Sequence, residues 1–228
     1  MNQKYIVGLL LIIVIAGLAA AGVNQIASNL DIKPTPSPTS QLIFNKFNKS
    51  QEETGNFKVP SPTINEKKHY NNFPGILTSQ ELKDKKAVIN TNRGQIEFEI
   101  YPEASKAASN FIHLTQDGFY SGLTFHRVVS GFVIQGGDPL GNGTGGPGYK
   151  FEDEPVARKY DKGIVAMANS GPNTNGSQFF IMLEDNPNLP PNYTIFGQVI
   201  LGQDVVEKIQ VGDVMKQVRI DSLVRSGQ

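Results

Sequence analysis

Phe125-His126-Arg127-Val128-Val129-Ser130-Gly131-Phe132-Val133-Ile134-Gln135-Gly136-Gly137-Asp138 is the stretch from which the rest of the chain can be read. It is an apolar, β-prone run that carries an arginine, a phenylalanine and a glutamine at nearly alternating positions. A strand sends successive side chains to opposite faces with period two. A short turn at Ser130-Gly131 lets Arg127 from one strand and Phe132 and Gln135 from the next converge on one surface. A guanidinium beside an aromatic wall and an amide suits a ligand that is flat, polar and partly apolar.

Two further blocks follow in order. One is Met167-Ala168-Asn169-Ser170-Gly171-Pro172-Asn173-Thr174-Asn175-Gly176-Ser177-Gln178-Phe179-Phe180-Ile181, the other Tyr193-Thr194-Ile195-Phe196-Gly197-Gln198-Val199. With the hairpin they closely resemble the cyclophilin family of peptidyl-prolyl cis-trans isomerases. The resemblance covers about residues 86 to 225, and Leu189-Pro190-Pro191-Asn192-Tyr193-Thr194 looks like the bacterial branch. The chemistry it implies is rotation about a tertiary amide, with a barrier of about 18 to 20 kcal/mol from resonance in the C–N bond. No bond is made or broken, so neither nucleophile nor cofactor is required. What helps is a site that binds the twisted amide better than either planar form.

The resemblance implies roles for individual residues. Arg127 is the catalytic donor, acting as amide resonance is lost; its guanidinium stays charged and offers five donors in a rigid fork. Gln135 orients it, and Phe132 completes the catalytic set. Phe132, Phe180 and Leu189 are the walls of the proline pocket, with Val133 and Tyr193 beside them. Asn169, flanked by Ala168 and Ser170, holds the substrate residue before the proline. Gly143, Thr174 and Gln178 line a neighbouring pocket for upstream residues. His126 should face the other way, into the structure, as a satisfied structural histidine. The chain departs from the best-known eukaryotic members at three places: Val133 stands for a methionine, Asn188 for a rim tryptophan and Tyr193 for a histidine. A missing indole implies weak cyclosporin binding at most.

Outward from these blocks, the globular pattern begins near Ala87. Residues 88–91 and 95–100 alternate around Asn92-Arg93-Gly94, a hairpin signal. Pro102 opens a stretch with Ala104, Ala107, Ala108, Phe111, Ile112 and Leu114 at helical spacing, and Gly118 suits its end. Strand-like runs follow at 124–129, 132–135, 163–168, 178–183, 194–200 and 218–224, with a second helix at 204–210. Many short strands without regular βα alternation predict an antiparallel barrel rather than a doubly wound sheet. The resemblance implies a mainly β fold, a closed eight-stranded antiparallel barrel capped by two α-helices.

Three segments are expected: residues 1–26 as a signal anchor or transmembrane helix, 27–75 as a Pro-rich flexible linker, and 76–228 as the isomerase domain. Residues 5–23 carry no charge; as a helix they measure about 28 Å against a hydrocarbon core of about 30 Å. Lys4 precedes the run and no positive charge follows until Lys33, which leaves the bulk of the chain outside the cytoplasm. The rival reading is a cleaved signal peptide and a secreted domain, since Ala19-Ala20-Ala21 has the small-x-small form. The linker holds Lys33-Pro34-Thr35-Pro36-Ser37-Pro38 and a stickier patch at 42–47. Thr78-Ser79-Gln80-Glu81 has the form of a capping box.

Composition excludes more than it assigns. The 21 basic and 21 acidic residues balance, so there is no electrostatic case for nucleic acid. Absence of cysteine removes disulfides, thiol chemistry and lipid attachment at cysteine. The three histidines show no metal-ligand spacing, so no metal site is expected. Gly141-Asn142-Gly143-Thr144-Gly145-Gly146 satisfies a dinucleotide pattern, but Pro147-Gly148 follow where a helix should begin, so it reads as a loop. The expected partners are proline-containing polypeptides, the expected state a monomer. A noncatalytic proline-peptide binding or chaperone module is the alternative function.

Overall fold

The structure, a computed structural model, describes residues 68–224. The expected membrane segment 5–23 and the patch at 42–47 lie outside the described residues, among which no helix is long and apolar enough to cross a membrane.

In chain order the elements are α1 (Ser79–Leu82), β1 (Lys85–Thr91), β2 (Gln95–Ile100), α2 (Ser105–Gln116), β3 (Arg127–Val129), β4 (Val133–Gly136), β5 (Ile164–Met167), β6 (Phe179–Met182), β7 (Ile195–Leu201), α3 (Gln203–Val206) and β8 (Met215–Ser222). The strands form one sheet in the order β3-β4-β6-β5-β7-β2-β1-β8, and every pairing is antiparallel. This is an eight-stranded antiparallel half-barrel. Its end strands β3 and β8 do not pair directly. The segments just ahead of them are laced instead, through a bridge between Thr124 and Val214 and bonds from Phe125 N–H to the Asp213 carbonyl (2.9 Å) and Met215 N–H to the Leu123 carbonyl (2.8 Å). The run expected as strand from residue 124 therefore enters β3 only at Arg127.

Helix α2 buries Ala107, Ala108, Phe111, Ile112 and Leu114 against the sheet. Its leading residue, Ala104, offers no side-chain cap. A remote carboxylate does that work: Glu154 accepts from the N–H groups of Lys106 and Ala107, each at 2.9 Å. Negative charge at this end also complements the helix dipole. The capping box at Thr78 and Glu81 forms and starts α1. The second helix expected at 204–210 shrinks to the single turn α3, between Gly202 and a run of turns ahead of β8.

Strands β4, β5 and β6 bury both faces, so their sequences run apolar without clean alternation. One face, with Ile134, Val165, Met167, Phe179 and Ile181, joins the main core with α2. There Phe111 stacks on Tyr120 at 4.8 Å between centroids, and Phe179 meets both edge-on. The opposite face, with Val133, Ala166, Phe180 and Met182, makes a second cluster outside the half-barrel.

Residues 68–75, read from the sequence as the end of the linker, lie against the domain. Tyr70 and Phe73 are half-buried on the main core, with ring contacts to Phe119, Tyr149 and Phe151. Two aromatic rings outweigh the neighbouring Asn71, Asn72 and Pro74, which is why this strap packs on the domain ahead of residue 76.

Candidate active site

The hairpin forms as its sequence predicts. Arg127 pairs with Gln135, Val128 with Ile134 and Val129 with Val133. The turn closes with Phe132 N–H on the Val129 carbonyl at 3.0 Å, and Gly131 sits at φ +69°, a conformation other residues seldom adopt. Being directly opposite, Arg127 and Gln135 project to the same side of the sheet. Arg127 Nη1 donates to Gln135 Oε1 at 3.2 Å. Gln135 Nε2 donates to Gln178 Oε1 at 2.9 Å, and Gln178 Nε2 to the carbonyls of Gly143 (3.0 Å) and Gly145 (2.8 Å). Each amide is polarised in one direction, so this chain of bonds leaves one lobe of Arg127 fixed. The guanidinium is exposed and forms no ion pair among the described residues, so its remaining donors face solvent.

Beside the arginine lies the outer apolar cluster. Val133 and Phe180 are its buried floor, at 2 % and 6 % exposure; Phe132, Leu189, Tyr193 and Ala168 are half-buried against it. Tyr193 meets Phe180 edge-on at 5.6 Å. Its position is held by Tyr160, whose hydroxyl donates to the Tyr193 carbonyl (2.9 Å) and accepts from the Tyr193 N–H (3.1 Å). Asn188 is exposed in the loop leading to Leu189.

Beyond β5 the chain turns through residues 168–174. Ala168 N–H is bound to the Gln178 carbonyl at 2.9 Å, the Asn169 side chain to the Asn192 carbonyl at 2.9 Å, and Ser170 N–H to Thr174 Oγ1 at 2.9 Å. The main-chain N–H and C=O of Asn169 are bonded to no other described residue. Main-chain groups left unpaired in this way can bond the backbone of an added peptide. Past it opens a cleft of about 770 Å³, lined among others by Gln135, Gly143, Ala168, Asn169, Ser170, Thr174 and Gln178. Arg127, Phe132, Val133, Phe180, Leu189 and Tyr193 belong to the adjoining apolar part. The two sets meet at Gln135 and Ala168.

Two features were beyond the sequence reading. The glycine-rich loop wraps a carboxylate: Asp138, 1 % exposed, accepts from the N–H groups of Leu140 (2.7 Å), Asn142 (3.0 Å) and Gly143 (2.5 Å). Burial alone would raise its pKa, but these donors hold it below the usual carboxylate value. A phosphate would compete for donors that Asp138 already occupies. The second is His126. Its ring lies inward as expected, with both nitrogens out of reach of solvent and no hydrogen bond of normal geometry, although the Gln178 side chain is near enough to favour the charged ring. Desolvation depresses its pKa and Arg127 adds to this, while Asp138 and the Gln178 side chain oppose it, leaving the value below that of a free imidazole.

Comparison with known proteins agrees with this geometry. The family model described as cyclophilin type peptidyl-prolyl cis-trans isomerase/CLD matches residues 86–225. Peptidyl-prolyl cis-trans isomerase B of Bacillus subtilis is 50 % identical over 130 residues, covering 56 % of this chain and 91 % of that protein. A Helicobacter pylori peptidyl-prolyl cis-trans isomerase is 44 % identical over 152 residues, covering 64 % and 93 %. The crystal structure of a Cryptosporidium parvum cyclophilin type isomerase, solved also in the presence of the dipeptide Ala-Pro, matches with TM-score 0.57 at 39 % identity, over 60 % of this chain and 98 % of that one. With an exposed arginine steered by two glutamines beside an open apolar floor, and a family match over most of the described residues, the chain belongs to the cyclophilin-type peptidyl-prolyl cis-trans isomerases.

Proposed function

We propose that the chain catalyses X-Pro rotation in exported or envelope polypeptides, from a domain tethered outside a membrane by its N-terminal segment. The proline ring rests on Phe132, Phe180 and Leu189. The preceding residue lies along Ala168-Asn169-Ser170, bonded to the free main chain of Asn169. Arg127 then donates toward the prolyl amide as its nitrogen loses conjugation, an interaction stronger in the twisted state than in either planar one. Bringing a step of tens to hundreds of seconds to milliseconds requires about 7 kcal/mol of such preference. The observation that carries this reading is the exposed Arg127 held by Gln135 at 3.2 Å on the rim of the apolar floor. An exchange measurement by NMR on an Ala-Pro peptide tests it: line broadening of cis and trans signals by catalytic amounts of the protein is expected, and unaltered exchange rejects it.

The tethered location rests on the uncharged run 5–23 and the Lys4 bias before it. Intact mass of the protein recovered from its native membrane checks this. Retention of residues 1–26 supports an anchor; cleavage near Ala21 means a secreted enzyme.

A further inference from the structure

The cleft beside the apolar floor has an end wall that the isomerase motifs do not supply. The strap at residues 68–70 runs along it. Tyr70 N–H donates to the Pro147 carbonyl at 2.7 Å, and its ring packs on Phe119 and Tyr149. Gly148, at φ +107°, permits the approach, because any side chain there would strike the Tyr70 carbonyl and the His69 ring. Lys68 and His69 thereby become part of the lining.

The charge of this lining has one sign. The basic side chains lining it are Lys68, His69 and Lys150, and the lining contains no carboxylate. Lys68 is largely balanced by Asp117 at 3.1 Å. Lys150 is exposed and forms no ion pair among the described residues. Two carboxylates stand behind the lining: Asp138, buried beneath the glycines and bound by N–H groups of Leu140, Asn142 and Gly143, and the half-buried Asp153, occupied by Asn173 N–H (2.9 Å) and the Asn175 side chain (2.7 Å). A concave wall lined by one sign of charge focuses its field on whatever enters.

We infer that this cleft selects proline peptides carrying an acidic side chain, Asp or Glu, two or three residues upstream of the proline, and that Lys150 and His69 are the specificity-determining residues. The inference rests on the isomerase reading of the groove. A peptide whose proline lies on Phe180 and whose preceding residue lies along Asn169 runs next past Gln178 and Gly143, toward Lys150. The charges stay solvated, so discrimination is modest: about fivefold between Glu and Lys at low salt, shrinking as the screening length falls to about 4 Å near 0.5 M.

The test uses the full chain and peptides with Glu, Gln or Lys at each of the two upstream positions. The quantity read is the ratio of kcat/KM for Glu over Lys, which does not depend on the concentration of folded enzyme. The ratio should be about five for the natural sequence at low salt, near one at high salt, and below one in Lys150→Glu. His69→Glu should lower it by a smaller factor. Equal turnover of all peptides at low salt, or a ratio that Lys150→Glu leaves unchanged, overturns the inference while leaving the isomerase activity standing. No turnover of any peptide would instead overturn that activity, and this inference with it.

Discussion

The two faces of β4, β5 and β6 are both apolar, yet they are used in opposite ways. The inner face carries Ile134, Val165, Met167, Phe179 and Ile181, closed over by α2 and the aromatic rings of Phe98, Phe111, Tyr120 and Phe196. The outer face carries Val133, Ala166, Phe180 and Met182; among the described residues no helix closes over it, and its cover is loop and edge side chains such as Tyr160, Val156 and the half-buried Phe132, Leu189 and Tyr193. Apolar surface left open beside an oriented cation marks a binding site; the same surface under a helix is core. Alternation along a strand cannot distinguish the two, because both faces lose most of their exposure. What distinguishes them is which neighbours arrive from elsewhere in the chain.

Truncations on the two faces should therefore fail differently. Phe179→Ala on the inner face should cost about 3 to 5 kcal/mol of stability. That is about 10 °C in Tm for a domain of this size. Phe132→Ala on the outer face should leave the thermal midpoint nearly in place and lower kcat/KM by about ten- to a hundredfold, the value of half-burying a proline ring against it. Scanning calorimetry and a proline-peptide assay on the same two variants read the contrast; a Phe132→Ala protein as destabilised as Phe179→Ala would make the outer cluster ordinary core.

The strap sharpens the comparison from another side, since it covers core rather than groove. A fragment of residues 76–228 should fold but unfold in urea about 2 kcal/mol more easily than one of residues 68–228, because Tyr70 and Phe73 no longer shield Phe119, Tyr149 and Phe151. Equal denaturation midpoints would show that the strap contributes nothing to the fold.

Much of this was legible in the sequence. The hairpin is announced by Ser130-Gly131 between β-prone runs, β1 and β2 by Asn92-Arg93-Gly94, and α2 by the spacing of Ala107, Phe111 and Leu114. These are local signals, fixed by φ preferences and periodicity. Groove residues separated by up to about sixty positions come together in the structure, but only the family resemblance, not spacing, indicated it. The remainder depended on tertiary partners. Glu154 caps a helix nearly fifty residues earlier. Asp138 fills the glycine loop that mimics a phosphate cradle. The helix expected at 204–210 has good local pattern but continues past its first turn only through i→i−3 bonds from Lys208 and Ile209 before the chain turns into β8. The packing of the strap was not legible because Asn71, Asn72 and Pro74 next to Tyr70 and Phe73 read as linker.

On the inner side of the β3–β4 hairpin, His126 and Asp138 should separate in pH. His126 is held below the ordinary histidine value, so as pH falls below about 6.5 the unfolded chain binds a proton that the folded one resists. Stability is lost from there down to the folded value. Asp138 is shifted below the usual carboxylate range, so its contribution is present above that range and lost only at more acid pH. Urea midpoints at pH 7 and pH 5 should differ for the natural chain and differ less for His126→Gln. An unchanged slope would mean that the imidazole is solvated.

The smallest effect concerns the rim. Cyclosporin should bind weakly, and Asn188→Trp should tighten it by up to about tenfold by supplying an indole over the apolar floor. Isothermal titration reads the change, and no gain would place the rim elsewhere in the 184–193 loop.

The central claim is that one guanidinium, steered by Gln135 beside an open apolar floor, does the chemistry. Its most direct test is kcat/KM of Arg127→Ala on a proline peptide, measured with the unfolding curve of the same protein. The expected result is a loss of about a hundredfold or more with unchanged stability, and a comparable loss in Arg127→Lys, whose ammonium lacks the planar fork. Near-normal turnover by a folded Arg127→Ala protein would contradict the account.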